Sequence, residues 1–148
     1  MKIAVGSDHA GYEDPPPYYK PAIEEHLRSL GHEVIDCGTG GPEAVDYPDV
    51  AKAVAKSIQS GEAEAGVLLC GAGIGMSIAA NRHKGIRAAS VDSDEMARLS
   101  RSHNNANVLC LGRRIHSLEE VTRYIDIWLN TPYHGEERHN RRIGKIDE

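Results

Sequence analysis

The stretch Gly66-Val67-Leu68-Leu69-Cys70-Gly71-Ala72-Gly73-Ile74-Gly75 restricts the fold more than any other part of the chain. Its apolar run Val67–Leu69 has no polar alternation, so a strand built from it must be covered on both faces. Three glycines at alternate positions then open a turn, and Gly75–Asn81 continues as a helix in which Ile78 and Ala79 are expected to face inward. Buried strand, glycine turn and helix in that order form a unit of a parallel sheet. The bare backbone N–H groups of such a turn readily surround an anion. Cys70 sets a thiol at the mouth of the turn, where a positive helix end favours the thiolate. A nucleotide-binding loop needs the glycines but not the thiol, so the combination points to chemistry on an anionic small molecule.

The same alternation runs along the whole chain. Ile3–Val5, Glu33–Cys37, Gly66–Cys70, Arg87–Val91 and Asn107–Leu111 read as five strands. Between them, Ile23, Leu27 and Leu30 recur at helical spacing up to Gly31. Val50, Ala51, Val54, Ala55 and Ile58 form a second stripe, opened by Asp46-Tyr47-Pro48 and closed near Gly61. Ser93 caps a helix that carries Met96 and Leu99. Ser117 and Glu120 have capping-box spacing ahead of Val121, Ile125, Trp128 and Leu129. The expected fold is therefore α/β: a five-stranded parallel, Rossmann-like sheet inside a three-layer α/β/α sandwich. The segment Glu13–Pro21, with Pro15-Pro16-Pro17, is expected to be a stiff loop that delays the first helix. Gly38–Val45 is a second loop. Neither is long enough to separate domains.

With 148 residues, the chain is expected to form a single domain over 1–148. No apolar run approaches the roughly 20 residues of a membrane span. Met1–Gly6 reads as a strand, not a secretory signal, so a cytoplasmic location is the default. Cys37, Cys70 and Cys110 are odd in number and far apart, which argues against a disulfide framework or structural zinc. A net charge of −5 argues against broad nucleic-acid binding. Basic residues are nevertheless clustered at Arg113-Arg114 and at Arg138-His139-Asn140-Arg141-Arg142. Either cluster can be a solvated helix face or a site for a defined anion. Arg138 and Arg142 are four apart, so on a helix they project together and can grip one phosphate. Past Pro132 the tail lacks a core stripe beyond Ile143 and Ile146, and so suits packing on a neighbouring subunit.

Ligands of parallel sheets bind beyond the carboxyl ends of the strands. Asp8-His9, Cys37-Gly38, Cys70 with its glycines, and Gly112-Arg113-Arg114 all fall at that edge. Each has a plain alternative. Cys70 can be a small buried residue, Asp8 a turn or cap residue, and His103 a half-buried histidine on the face of Met96 and Leu99. The chemical readings are a thiolate base beside an oxyanion hole for Cys70 and a general acid/base for His103, since an imidazole titrates near physiological pH.

Taken jointly, the motifs Gly6-Ser7-Asp8-His9-Ala10-Gly11-Tyr12, Asp46-Tyr47-Pro48, Cys70–Asn81, Gly85-Ile86-Arg87-Ala88, His103–Leu109 and the Arg138–Arg142 tail resemble the ribose-5-phosphate isomerase B family, which includes allose- and galactose-6-phosphate isomerases. The resemblance covers nearly the whole chain in order. It implies a metal-free, cofactor-free aldose–ketose isomerase that interconverts ribose 5-phosphate and ribulose 5-phosphate through an enediolate. By the same resemblance Cys70 is the base between C1 and C2, His103 opens the furanose ring, and Asp8 assists at the sugar hydroxyls. The amides of Gly71, Ala72, Gly73, Ile74 and Gly75 match the hole for the enediolate oxygen. His9, Arg114, Arg138 and Arg142 match phosphate-binding positions, and Tyr47 and Asn104 line the sugar. The resemblance further implies a homodimer or higher homo-oligomer, with His103 and part of the basic tail supplied to each site by the partner.

Two features depart from the family pattern. Ala72 stands where many members carry Thr or Ser, and the proline-rich segment Glu13–Pro21 intervenes before the first helix. Both motivate an alternative with the same chemistry on a hexose 6-phosphate of allose or galactose type. A non-catalytic sugar-phosphate-binding protein is the alternative from another class. A dinucleotide-dependent dehydrogenase fits less well, because the glycine turn follows the third strand and no acidic ribose partner stands about 20 residues beyond a first-strand loop.

Overall fold

Apolar strands need cover on both faces, and the chain supplies it with helices on either side of one sheet. A computed structural model describes residues 1–148. Strands β1 (Lys2–Ser7), β2 (Glu33–Asp36), β3 (Ala65–Cys70), β4 (Ala88–Ser90) and β5 (Val108–Gly112) are all parallel, in the order β2-β1-β3-β5-β4. The helices are α1 (Tyr19–Ser29), α2 (Tyr47–Gln59), α3 (Ile74–Ala80), α4 (Asp94–Ser102), α5 (Leu118–Asn130) and α6 (Glu137–Ile146). The result is the three-layer, Rossmann-like sandwich.

Alternate strand residues divide into two cores. Ile3, Val5, Val67, Leu69, Leu109 and Leu111 pack with α1, α4 and α5 through Ile23, Leu27, Ala97, Val121, Ile125 and Trp128. Ala4, Leu68, Cys70, Val108 and Cys110 face the other way, onto Val50, Val54, Met76 and Ala80 of α2 and α3. Gly6 is on this second face because Val50 approaches to where a Cβ would stand, 2.5 Å away. Chain order reverses between β1 and β3, which makes that pair the switch point where such sheets open a crevice. Ser7 pairs with Leu69 and Cys70 with Gly112, so the carboxyl ends of β1, β3 and β5 lie side by side.

Helix starts follow their caps. Ser93 Oγ accepts the Met96 N–H at 3.1 Å, and Ser117 with Glu120 forms the reciprocal capping box. Three local expectations are corrected. In α3 the inward residues are Met76 and Ala80, with Ala79 half-buried against the same core as expected, while Ile78 is 64% exposed and Ile74 is 60% exposed. Met76 and Ile78 are two positions apart and so lie on opposite sides of a helix. The small Ala80 side chain lets the Met76 side sit against the sheet. In α4 the buried residues are Ala97, Ser100 and Ser102, and Met96 is exposed. The proline-rich loop ends earlier than expected: α1 begins at Tyr19 and takes Pro21 into its first turn, where no intrahelical N–H is needed. A 3₁₀ turn, His9–Tyr12, precedes that loop. No helix is long and apolar enough to cross a membrane.

Candidate active site

Cys70 ends a strand whose six residues are all buried, and the turn after it is built by close backbone approaches. Gly73 has φ +83°, and a Cβ there would lie 3.1 Å from the Leu111 carbonyl carbon. Glycine is required on both counts. At Gly112 a Cβ would lie 2.8 Å from the Ala72 carbonyl group, so the end of β5 presses directly on the turn. Two further bonds lock the pair: Arg113 N–H donates to the Cys70 carbonyl and Arg114 N–H to the Gly71 carbonyl, both at 2.9 Å.

Within this frame the Gly73 N–H donates to Cys70 Sγ at 3.3 Å. Hydrogen-bond donation to sulfur stabilises negative charge on it. The N–H groups of Ala72, Ile74 and Gly75 have no partner within the chain and remain available to an anion. Burial raises the Cys110 thiol far above its ordinary value, and burial also raises Cys37, with Asp36 adding to the effect. Cys70 is thus the thiol at the mouth of the turn, and all three cysteines are free.

Several sequence-selected residues converge on this turn. Asp8 follows β1 and falls beside Cys70 in the ladder, its N–H donating to the Leu69 carbonyl at 3.3 Å. Its carboxylate accepts the Ala10 N–H at 2.9 Å and caps the 3₁₀ turn, so the turn-capping reading of Asp8 holds in the free chain. His9 Nδ1 accepts the Val45 N–H at 3.4 Å, tying the loop before α2 to the same edge. The Tyr47 ring lies against Gly75, 2.6 Å from where a Cβ would stand, and Arg114 lies similarly against Gly71 at 3.2 Å. Those two glycines admit the aromatic ring and the guanidinium to the rim of the turn.

His103, Asn104, Arg138 and Arg142 are not at this edge. Helix α4 runs antiparallel to the strands, so its end lies at the amino-terminal edge of the sheet. With 9 residues it carries His103 about 14 Å from its start. There His103 caps α4 and stacks on His139 of α6, with ring centroids 4.4 Å apart, and meets His134 edge-on at 5.6 Å. His139 is the buried residue of α6, and its imidazole is held below the ordinary value by burial, with His103 and Arg138 adding to the effect. Arg138 and Arg142 are exposed on the same helix, Arg138 paired with Glu136 at 3.2 Å. A cleft of about 640 Å³ lies at this far edge between Asn81–Ala89 and Ile146–Glu148, with Asn104 on its wall. It is remote from the thiol.

One residue at the turn went unrecognised in the sequence. Glu13 grips Arg114 with a forked pair of hydrogen bonds, Arg114 Nη2 donating to Oε1 at 2.9 Å and Nε to Oε2 at 3.3 Å, with Nε also 3.1 Å from Oε1. The two are 101 positions apart, and no periodicity links them. No group of three His, Cys, Asp or Glu side chains is placed to hold a metal ion.

A thiol with a donated N–H, open amides and a cationic rim together suit an anionic substrate that passes through an oxyanion. The family model described as Ribose/Galactose Isomerase matches residues 3–146. The chain belongs to that family. It is 44% identical over 145 residues to ribose-5-phosphate isomerase B of Escherichia coli, covering 98% of this chain and 93% of that protein. It is 41% identical to the galactose-6-phosphate isomerase subunit LacB of Clostridium acetobutylicum, covering 100% of this chain and 83% of the other. Among solved structures, ribose 5-phosphate isomerase of Thermotoga maritima superposes with a TM-score of 0.91 at 53% identity, covering 99% of this chain and 97% of that one. In this chain Cys70, the glycine turn and Asp8 lie together at the carboxyl edge of the sheet.

Proposed function

We propose that the chain interconverts ribose 5-phosphate and ribulose 5-phosphate. Cys70, as thiolate, takes the C2 proton of the open-chain aldose. The electron pair of that bond moves into C1–C2 and leaves negative charge on O1, where the amides of Ala72, Ile74 and Gly75 receive it. The same sulfur returns its proton to C1, while the O2 proton passes to O1 and leaves a carbonyl at C2. The carrying observation is the Cys70 sulfur, which accepts an N–H at 3.3 Å inside a turn whose remaining amides are open. Asp8 serves the sugar hydroxyls by leaving its cap. His9 and Arg114 take the phosphate from one side, and Tyr47 lines the sugar.

His103 as ring opener, Asn104 along the sugar, and Arg138 and Arg142 on the phosphate are supplied in this reading by a second copy of the chain, in a homodimer or a larger assembly. Support comes from the opposite placement of the two groups on the sheet, which no single copy can close. A cytoplasmic location goes with this reading, in keeping with three unpaired thiols.

The test is NMR-detected isomerisation by metal-free protein. Cys70→Ala is expected to abolish it, and full activity in that variant removes the base assignment. A second reading keeps the chemistry and changes the sugar to a hexose 6-phosphate. The exposed Ala72, which lacks the hydroxyl of many relatives, and the 41% identity to a LacB subunit favour it. Side-by-side kcat/KM values for ribose, allose and galactose phosphates decide between the two.

A further inference from the structure

The carboxylate of Glu13 stands where an anion is wanted. It holds Arg114 by Nε and Nη2 together, in the planar two-bond geometry by which a guanidinium also takes a phosphate. Arg114 is fixed at its own backbone by the N–H bond to the Gly71 carbonyl, which roots the side chain at the rim of the turn. The Glu13 carboxyl is held below the ordinary carboxylate value by the Arg114 hydrogen bonds, and Arg113 and His9 act in the same direction. His9 and Arg114 are the two side chains at this edge assigned above to the substrate phosphate.

We propose that Glu13 is a tethered competitor for the substrate phosphate: its carboxylate occupies Arg114 in the free enzyme and is displaced when a phosphorylated sugar binds. The inference rests on the reading of Arg114 as a phosphate ligand. Displacement needs only side-chain rotation. The backbone of the segment stays in place, because Arg113 Nη2 donates to the Glu13 carbonyl at 3.3 Å and to the Pro15 carbonyl at 3.4 Å, and its guanidinium lies 4.4 Å from the centre of the Tyr19 ring. The Glu13 side chain is one-third exposed and the Arg114 side chain 61% exposed, so the released carboxylate moves directly into water. A phosphate monoester carries nearly two negative charges against one on the carboxylate, which sets the direction of exchange. The proline-rich segment thus acts on binding through one side chain at its first residue.

An exposed ion pair of this kind favours its closed arrangement by a factor of about two to five, which leaves the open fraction at about a third to a sixth and lowers ligand affinity about three- to sixfold. The experiment measures kcat, KM for ribose 5-phosphate and Ki for inorganic phosphate in wild type, Glu13→Gln, Arg114→Ala and the double variant. Glu13→Gln is expected to lower KM and Ki together about three- to sixfold with kcat unchanged. In the Arg114→Ala background the same change is expected to have no effect. A raised or unaltered Ki in Glu13→Gln overturns the proposal and makes Glu13 a positioning residue for Arg114 or a bystander. An equal drop in the Arg114→Ala background also overturns it, as general relief of negative charge. If Arg114→Ala leaves Ki unchanged, the phosphate role of Arg114 fails, and the competitor role falls with it for that separate, visible reason.

Discussion

Cys70→Ala and His103→Ala are expected to rescue each other when both copies share one oligomer. Cys70 lies at the carboxyl end of β3, and His103 lies at the far end of α4, a helix about 14 Å long that runs back toward the opposite edge. A site that needs both takes them from different copies. In a two-fold dimer of one variant with the other, one of the two sites lacks both residues and the other lacks neither. The isolated mixed dimer is therefore expected to turn over at about half the wild-type rate per dimer, and a random co-expressed population at about a quarter. The assay is differential tagging of the two variants, sequential affinity purification of the mixed species, and NMR measurement of aldose-to-ketose conversion. A mixed species no more active than the mean of its two parents refutes the shared-site reasoning. Failure of differently tagged wild-type copies to co-purify refutes it as well.

Three further outcomes follow from the geometry. Gly73→Ala puts a side chain at φ +83° and 3.1 Å from the Leu111 backbone; it is expected to cost about 1–2 kcal/mol in urea unfolding and to reduce kcat by disturbing the turn. Ser117→Ala removes the capping box of α5 and is expected to lower stability by about 1 kcal/mol without changing KM, as read from urea midpoints and kinetics on one preparation. Burial holds His139 below its ordinary value, so the unfolded chain binds this proton more readily than the folded one. Its contribution to stability is present above the unfolded value of about 6.5 and is lost as pH falls from there through the lower folded value. His139→Phe is expected to flatten the fall of the urea midpoint between pH about 7 and about 5, and an unchanged pH slope counts against the assignment.

The sheet was legible because its signal is local. Continuous apolar runs, capping residues and glycine stops each act within a few positions, and the five strands and the α5 capping box could be read from them. Helix faces were less legible where two apolar stripes compete. Ile74 and Ile78 are more hydrophobic than Ala80, yet the close approach of α3 to the sheet selects the smaller residue. At the candidate site, Cys70, Asp8, His9 and Arg114 could be gathered from strand ends alone, since a parallel sheet sends every carboxyl end to one side, whereas Tyr47, at the start of α2, came only from the family resemblance. The stacking of His103 on His139 and the grip of Glu13 on Arg114 could not. They depend on where α6 and the proline-rich loop settle in three dimensions, and no repeat along the chain encodes either contact.

Gly112 pins the backbone of residue 72 from behind while the side chain of that residue faces solvent. The direction of the amides and the identity of the side chain are thereby separate traits. Alanine, serine and threonine are neighbours in the genetic code, and all three fit the space in front of position 72. A lineage can therefore gain or lose a hydroxyl at this position by a single base change, without rebuilding the turn. In the proposed reading the side chain at this position is free to change with the sugar, while the backbone amides that receive the oxyanion stay fixed.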